Sequence, residues 1–545
     1  MAMRIPSLPR LALVAVFGCA LLWAAAACMT AQAPLARPGL PTPSAPGGAG
    51  KTYRVGPGQQ FVRIGDVPWY SLGPGDTVYI HYQPAPYKEK FLIQGRGRAD
   101  AWIRVIGVPD PVSGALPVIS GDGATTGTTM HHRQADVGAN GIQYLGIVQI
   151  AVGPDVDGKS PPLPGYIEIA GLRVQDAYSA YSFIGENGQS GTYHDFASCV
   201  YIKSGQHIVV RDNVLTNCGL GVFNWTGGGY DGGTNWWDGL SIDLTLRGNY
   251  FFNNGIKGAY GQHQSYTESD GVIIEYNRYG PMRDGTFGSQ LKDRSVGTVI
   301  RYNYVEQSRA GWDMDLVEPE ESYQTLGKSP KIKQTFVYGN IFFSPDPTSF
   351  TNIVHWNEDH NLGKGRATLS DGKLFFYNNT LVFKTSAEPY HNEVNGVFNE
   401  TWGSYDCSPT PLGGTVDVRN NIFYIEGGHF KFGYCGQLRF NFVNNWITKG
   451  VIIHGLSSTG TDSNILGTGN PGFVDVAKAD FNLRPDAAVR GKGGPLAPEV
   501  TNNALGLDLT PNQQYVAHSR VAPRATSGAG SDLGALAVPL PAAPR

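Results

Sequence analysis

The chain is patterned as a succession of very short apolar runs separated by glycine, proline, aspartate and asparagine. From Thr52 the first runs are Tyr53-Arg-Val, Thr77-Val-Tyr-Ile, Trp102-Ile-Arg-Val-Ile and Pro117-Val-Ile-Ser. Such β-branched and aromatic runs between turn formers predict short strands. No stretch carries the apolar spacing of an amphipathic helix. A repeat then emerges: Ile208-Val-Val-Arg-Asp-Asn213-Val-Leu, Leu244-Thr-Leu-Arg-Gly-Asn249-Tyr-Phe, Val272-Ile-Ile-Glu-Tyr-Asn277-Arg-Tyr and Val299-Ile-Arg-Tyr-Asn303-Tyr-Val. It is preceded by a related unit at Leu172 and continues around Asn340, Asn379, Asn421 and Asn445. Each unit is a strand, an asparagine at a bend and a second strand. The asparagines lie 24 to 42 residues apart, the shortest gaps fitting one coil of a stacked solenoid and the longer ones a coil with an insertion. Stacking pairs each strand with its equivalent in the next coil, so a column of inward asparagines can bond the bends and one another.

Composition agrees with this reading. Of 545 residues 72 are glycine, 11% are aromatic and only 16% are charged, the profile of a turn-rich all-β protein. The net charge of -3 argues against nucleic acid as a partner, so any anion must be held by a local cluster. At the N-terminus, Arg4 and Arg10 flank an apolar run over 11–27 that ends in Ala-Ala-Ala-Cys28, the layout of an export signal. The expectation is a signal over 1–28, a Pro/Ala/Gly linker over 29–51, a β-helix domain over 52–491 and a low-complexity tail over 492–545. The exported product is periplasmic, extracellular or an outer-membrane lipoprotein anchored through Cys28, and is expected to be a monomer. Cys199, Cys218, Cys407 and Cys435 remain, and in an oxidising compartment the sequence-near pairing joins Cys199 to Cys218 and Cys407 to Cys435. Four reduced, buried thiols are the other reading.

The repeat resembles that of right-handed parallel β-helix proteins. Tyr53-Arg-Val-Gly-Pro-Gly followed by Pro74-Gly-Asp-Thr-Val-Tyr-Ile resembles the opening coil of secreted bacterial polysaccharide lyases, and Gly472-Phe-Val-Asp-Val looks like a last coil of such proteins. The resemblance implies an all-β solenoid with long loop insertions acting on an acidic polysaccharide. Similarity to alginate-lyase and chondroitinase B type enzymes sets Lys292-Asp-Arg294-Ser beside their Lys-Ser turn, although the acidic stretch from Asp313 to Asp315 stands where those enzymes carry a further arginine.

Counting back from the repeated asparagines aligns Asp238, Tyr266 and Lys292, sets Glu268 beside Arg294 and Gln264 beside Gln290, and brings His263 next to Ser289. Alternation predicts Gln290, Lys292 and Arg294 on one outward face. Pattern matching places Asp313 near Gln290 and Asp315 near Lys292. Removing a proton alpha to a carboxylate requires the carboxylate to be neutralised and a base to reach the carbon. Lys292, Arg294, His263 and Tyr266 are therefore the candidate catalytic residues. Gln290, Trp236, Trp237, Asp238, Arg283, Arg309, His355 and Trp356 are the candidate substrate contacts, the tryptophans as sugar-stacking platforms. Asp313, Asp315 and Glu318 form a candidate calcium site of oxygen ligands. Two other functions fit the same residues: a glycoside hydrolase using Asp313 and Asp315 as its carboxylate pair, and a non-catalytic glycan-binding surface protein whose charges only pair with one another.

Overall fold

A computed structural model describes residues 50–127, 130, 132, 143–154, 161–226, 239–306, 311–320, 322–346, 352–358, 372–385, 396–401, 414–427, 431–433, 438–453, 455, 457–524 and 531–537. The export signal with Cys28, nearly all of the expected linker, and Cys407, Cys435, Trp236, Trp237, Asp238 and Arg309 lie outside the described residues.

Strands of two to seven residues alternate with bends and join three long sheets of 13, 15 and 11 strands, paired almost throughout in parallel with the equivalent strand of the next coil. This is a parallel β-helix. Its interior is filled by stacked apolar columns, for example Ile208 opposite Leu244 and Leu244 opposite Val272. All of these are buried, and each such side chain contributes about 1.5–3 kcal/mol of burial.

The repeated asparagines form the expected ladder. Asn303 Oδ1 accepts from the backbone N–H of Asn277 at 2.9 Å and from its Nδ2 at 3.0 Å, while Asn303 Nδ2 donates to Asn340 Oδ1 at 2.9 Å. The same bonds run from Asn213 down to Asn445 and on to Asn464, one coil further than the repeat predicts. Each bend needs a left-handed residue just before the asparagine. Gly248 and Gly339 supply it without strain, and Asn378, Asn420 and Asn444 tolerate it. Tyr276 and Tyr302 adopt it at φ 59° and 56°, a conformation that costs such residues of order 1–3 kcal/mol. Their rings stack 5.5 Å apart and nearly parallel, which offsets part of that cost.

Cys199 and Cys218 are disulfide-bonded, Cα to Cα 5.8 Å. Ser198 pairs with Leu220, so the bridge closes almost one full turn of the solenoid.

The chain beyond 491 departs from the expected low-complexity tail. Ala497, Val500 and Leu509 bury themselves against Tyr302, Tyr338 and Tyr377, and the hairpin Gln513–Ala517 with Arg520–Pro523 brings Tyr515 onto the third sheet near Tyr304. Isolated apolar residues in a Pro- and Gly-rich context suffice here because the solenoid's outer face already presents aromatic rings to cover.

Candidate functional site

The 15-stranded sheet stacks Ser198–Ile202, Leu220–Asn224, Ser265–Thr267, Leu291–Asp293, Trp312–Val317 and Asn352–Glu358 in consecutive coils. Its register aligns Tyr201, Phe223, Tyr266, Lys292, Asp315 and His355 in one column. Leu291, Met314 and Leu316, between the column positions, belong to the core. The column therefore lies on the side away from the core, and its middle members Phe223, Tyr266, Lys292 and Asp315 line a cavity of about 600 Å³.

Two cations, Lys292 and Arg294, and three carboxylates, Glu268, Asp315 and Glu320, line that cavity together with His263 and a wall of aromatic rings. Lys292 Nζ donates to Asp315 Oδ2 at 2.7 Å, and His355 Nδ1 lies 2.7 Å from the other oxygen, Oδ1. Burial pushes the Asp315 carboxyl up, but the Lys292 ammonium and the His355 hydrogen bond outweigh it and hold the group well below the usual carboxylate range. Trp312 stacks on the His355 ring at 4.6 Å and closes that end.

Arg294, only 1% exposed, donates from Nε to the Tyr266 hydroxyl at 2.9 Å and from Nη1 to the Glu318 carbonyl at 2.9 Å. The same Nε lies 3.1 Å from Glu320 Oε2. Burial raises the Tyr266 phenol well above the ordinary tyrosine range against the opposing charge of Arg294. The His263 ring meets Tyr266 edge-on at 5.6 Å, and its Nδ1 accepts the Ser289 N–H at 2.9 Å. Neutral His263 therefore carries its proton on Nε2. Close coil spacing at this corner requires glycine: a Cβ on Gly288 would sit 1.7 Å from the Gln262 carbonyl oxygen, and one on Gly311 2.4 Å from that of Gly288.

The structure thus brings Lys292, Arg294, His263, Tyr266 and Asp315 to one cleft, but not the other sequence candidates it describes; His355, expected to touch substrate, is fully buried behind Asp315 and Trp312 and lies outside the cavity lining. Gln290 does not face out: it precedes the strand, is fully buried, and its Nε2 donates to the carbonyls of Gly280 and Glu306 at 3.0 and 2.7 Å. Alternation fails there because the chain is still turning the corner. Trp356 points into the core at 0% exposure, since it shares a strand with outward His355 one residue away. Arg283 lies outside the cavity lining, donating to the Gly255 carbonyl at 2.7 Å with its guanidinium 4.1 Å over the Tyr178 ring. Asp313 is buried beside Ser344, 3.4 Å from its hydroxyl, rather than beside Asp315 in the cleft. It is therefore no catalytic partner for Asp315. Nor do Asp313, Asp315 and Glu318 fit a calcium ion: among the described residues no group of three or more His, Cys, Asp or Glu side chains is arranged to hold a metal, and Asp315 already serves Lys292 and His355.

Sequence reasoning missed Phe223, which takes the register position beside Tyr266. The same offset counted back from Asn249 lands on Asp238 instead, because extra residues between Phe223 and Asn249 lengthen this coil. It also missed Tyr144, Phe196, Tyr260, Phe287 and Trp312, and it grouped Glu320 with the acidic residues of a candidate cation site rather than with Arg294; all of these line the cleft.

No protein-family model and no curated protein matches the chain. Among solved structures it is similar to the alginate lyase of Paenibacillus sp. str. FPU-7, at 12% identity over 68% of this chain and 94% of that one, with a TM-score of 0.38. A pectate lyase is similar at 10% identity over 91% and 98%, TM-score 0.43, and a rhamnogalacturonan lyase at 12% over 84% and 100%, TM-score 0.37. Likenesses this distant say nothing about the reaction, and the parallel β-helix rests on the strand pairing itself.

Proposed function

We propose that the cleft is the active site of an exported polysaccharide lyase that cleaves an acidic, uronate-containing glycan by β-elimination. The observation that carries this reading is Arg294: a buried guanidinium that borders an open cleft and holds the Tyr266 phenol at 2.9 Å. A uronate carboxylate on Arg294, beside the positive charge of Lys292, is neutralised, which stabilises the carbanion that forms alpha to it. Ionised Tyr266 takes the alpha proton, the carbon–oxygen bond at the beta position breaks, and a carbon–carbon double bond forms. The phenol so produced protonates the departing glycosidic oxygen, and His263 offers its Nε2–H to the same cleft. Lys292, fastened to Asp315, acts through its charge rather than as a base. The aromatic wall around Phe223 and Trp225 supplies sugar-stacking surface.

The test is incubation with a panel of uronate glycans, read by ultraviolet absorbance of unsaturated ends and by reducing ends. Wild-type protein should give both, more rapidly as the pH rises toward the elevated Tyr266 range, and Tyr266→Phe should lose at least about a hundredfold in rate. Reducing ends without absorbance would overturn the lyase reading in favour of hydrolysis using Glu268 and Glu320, the other carboxylates among the described residues of the cleft.

A further inference from the structure

Two ion pairs among the described residues of the cleft, Lys292 with Asp315 and Arg294 with Glu320, differ in one respect. Asp315 is 4% exposed and held from both sides by Lys292 and His355, so it cannot leave. Glu320 is 35% exposed at its side chain, while its partner Arg294 is 2% exposed. The backbone around Glu320 is fastened independently of that side chain. Glu268 Oε1 accepts from the N–H of Glu320 at 3.2 Å, from the N–H of Ser322 at 2.9 Å and from the Ser322 hydroxyl at 2.7 Å. Arg294 Nη1 grips the Glu318 carbonyl from the other side. Swinging the Glu320 carboxylate toward solvent therefore requires side-chain rotation alone.

We infer that Glu320 is a displaceable internal stand-in for the substrate carboxylate, and so a specificity-determining residue; the identity of the anion rests on the acidic-glycan reading above. A buried guanidinium without a carboxylate carries a large desolvation penalty, and in the empty cleft Glu320 removes it. An incoming carboxylate replaces one negative charge on the Arg294 Nε edge by another, while the released Glu320 gains water. A neutral sugar, or a uronate masked as its methyl ester, has no charge with which to make that exchange. It would have to leave Glu320 in place, where its Oε2 also lies 3.4 Å from the Tyr266 hydroxyl. The same residue thus excludes uncharged glycans from the reacting tyrosine.

The experiment is calorimetric titration of wild type, Glu320→Gln and Glu320→Asp with free-acid oligouronides and their methyl esters, alongside thermal unfolding and the unsaturated-end assay. Glu320→Gln should bind the free acid about two- to fivefold more tightly, the competition lost being that of a partly exposed pair. Its preference for acid over ester should narrow, and Glu320→Asp should restore wild-type behaviour. A structural role would instead lower the unfolding temperature and weaken binding of acid and ester alike. If Glu320→Gln tightens acid binding but no unsaturated ends form, the lyase reading fails and this inference stands. If unsaturated ends form but Glu320→Gln binds the acid no more tightly than wild type, the inference is overturned and the lyase reading stands. If no oligouronide binds either protein, both fall.

Discussion

Replacing Asp315 by asparagine isolates the physics of the column. Lys292 Nζ lies 2.7 Å from Asp315 Oδ2, with the two side chains 8% and 4% exposed, and the second oxygen serves His355. Breaking a buried pair by removing one partner costs about 3–5 kcal/mol, because the remaining charge is left without compensation. Lys292 borders a cavity wide enough to admit water, which sets Asp315→Asn near the lower end, at about 3 kcal/mol. Removing both charges in Lys292→Met/Asp315→Leu leaves no stranded ion, so the double variant should recover at least about 2 kcal/mol of that loss. Urea unfolding followed by tryptophan fluorescence and by far-ultraviolet circular dichroism measures all three proteins. The pH sign is fixed by the depressed folded value of Asp315: its stabilisation is complete above the unfolded value of about 3.9 and is lost as pH falls toward the folded one. The gap between wild type and Asp315→Asn should therefore be full at neutral pH and shrink in acid. A loss below about 1 kcal/mol at neutral pH, the range of exposed pairs, would refute the claim that this column is a buried electrostatic unit.

Asn303→Ala should destabilise by roughly 3 kcal/mol in the same assay, since it leaves the buried Asn277 N–H and neighbouring carbonyls without partners, while oligouronide affinity of the folded fraction stays unchanged. Asp293, inward and bonded to Thr267 and Thr298, has its carboxyl pushed up by burial against the hydrogen bonds it accepts. A raised folded value means that its favourable contribution is present below about 3.9 and is lost as pH rises through the folded one. Asp293→Asn should accordingly flatten the fall in urea midpoint between acid and neutral pH, and an unchanged slope would refute that assignment.

The solenoid was legible because it is periodic: the asparagine, the left-handed position before it and the flanking apolar strands recur whatever is inserted between them. Lys292, Tyr266 and Asp315 were found by the same arithmetic, since no insertion separates Tyr266 from Asn277 or Lys292 from Asn303, and a glycine pattern at Gly288 and Gly311 carried the count to Asp315. Where an insertion follows the outward strand, as after Asn224, counting back misses and Phe223 is lost. Gln290 and Trp356 were misassigned because period-two alternation holds only within a strand whose ends are known. The pairing of Glu320 with Arg294 was illegible for a different reason. Glu320 belongs to no strand, and its place in the cleft depends on Glu268 and Arg294 capturing the backbone on either side of it, a tertiary event that local pattern does not encode.

The division between column and corner also explains why the cleft can be both stable and adjustable. Equivalent positions in adjacent coils stand only about 4.8 Å apart, so outward side chains in one column touch, and a cation buried in such a column is stabilised by an anion as its neighbour in the stack. Lys292 meets that condition permanently through Asp315, at the expense of being available to substrate. Arg294 stands just past the strand end, where its partner comes from an insertion rather than from the next rung. A partner of that origin is not bound by the stacking geometry and can be exchanged. Recognition of a charged ligand therefore belongs at the corner, on Arg294, with the rigid Lys292–Asp315 pair fixed beside it.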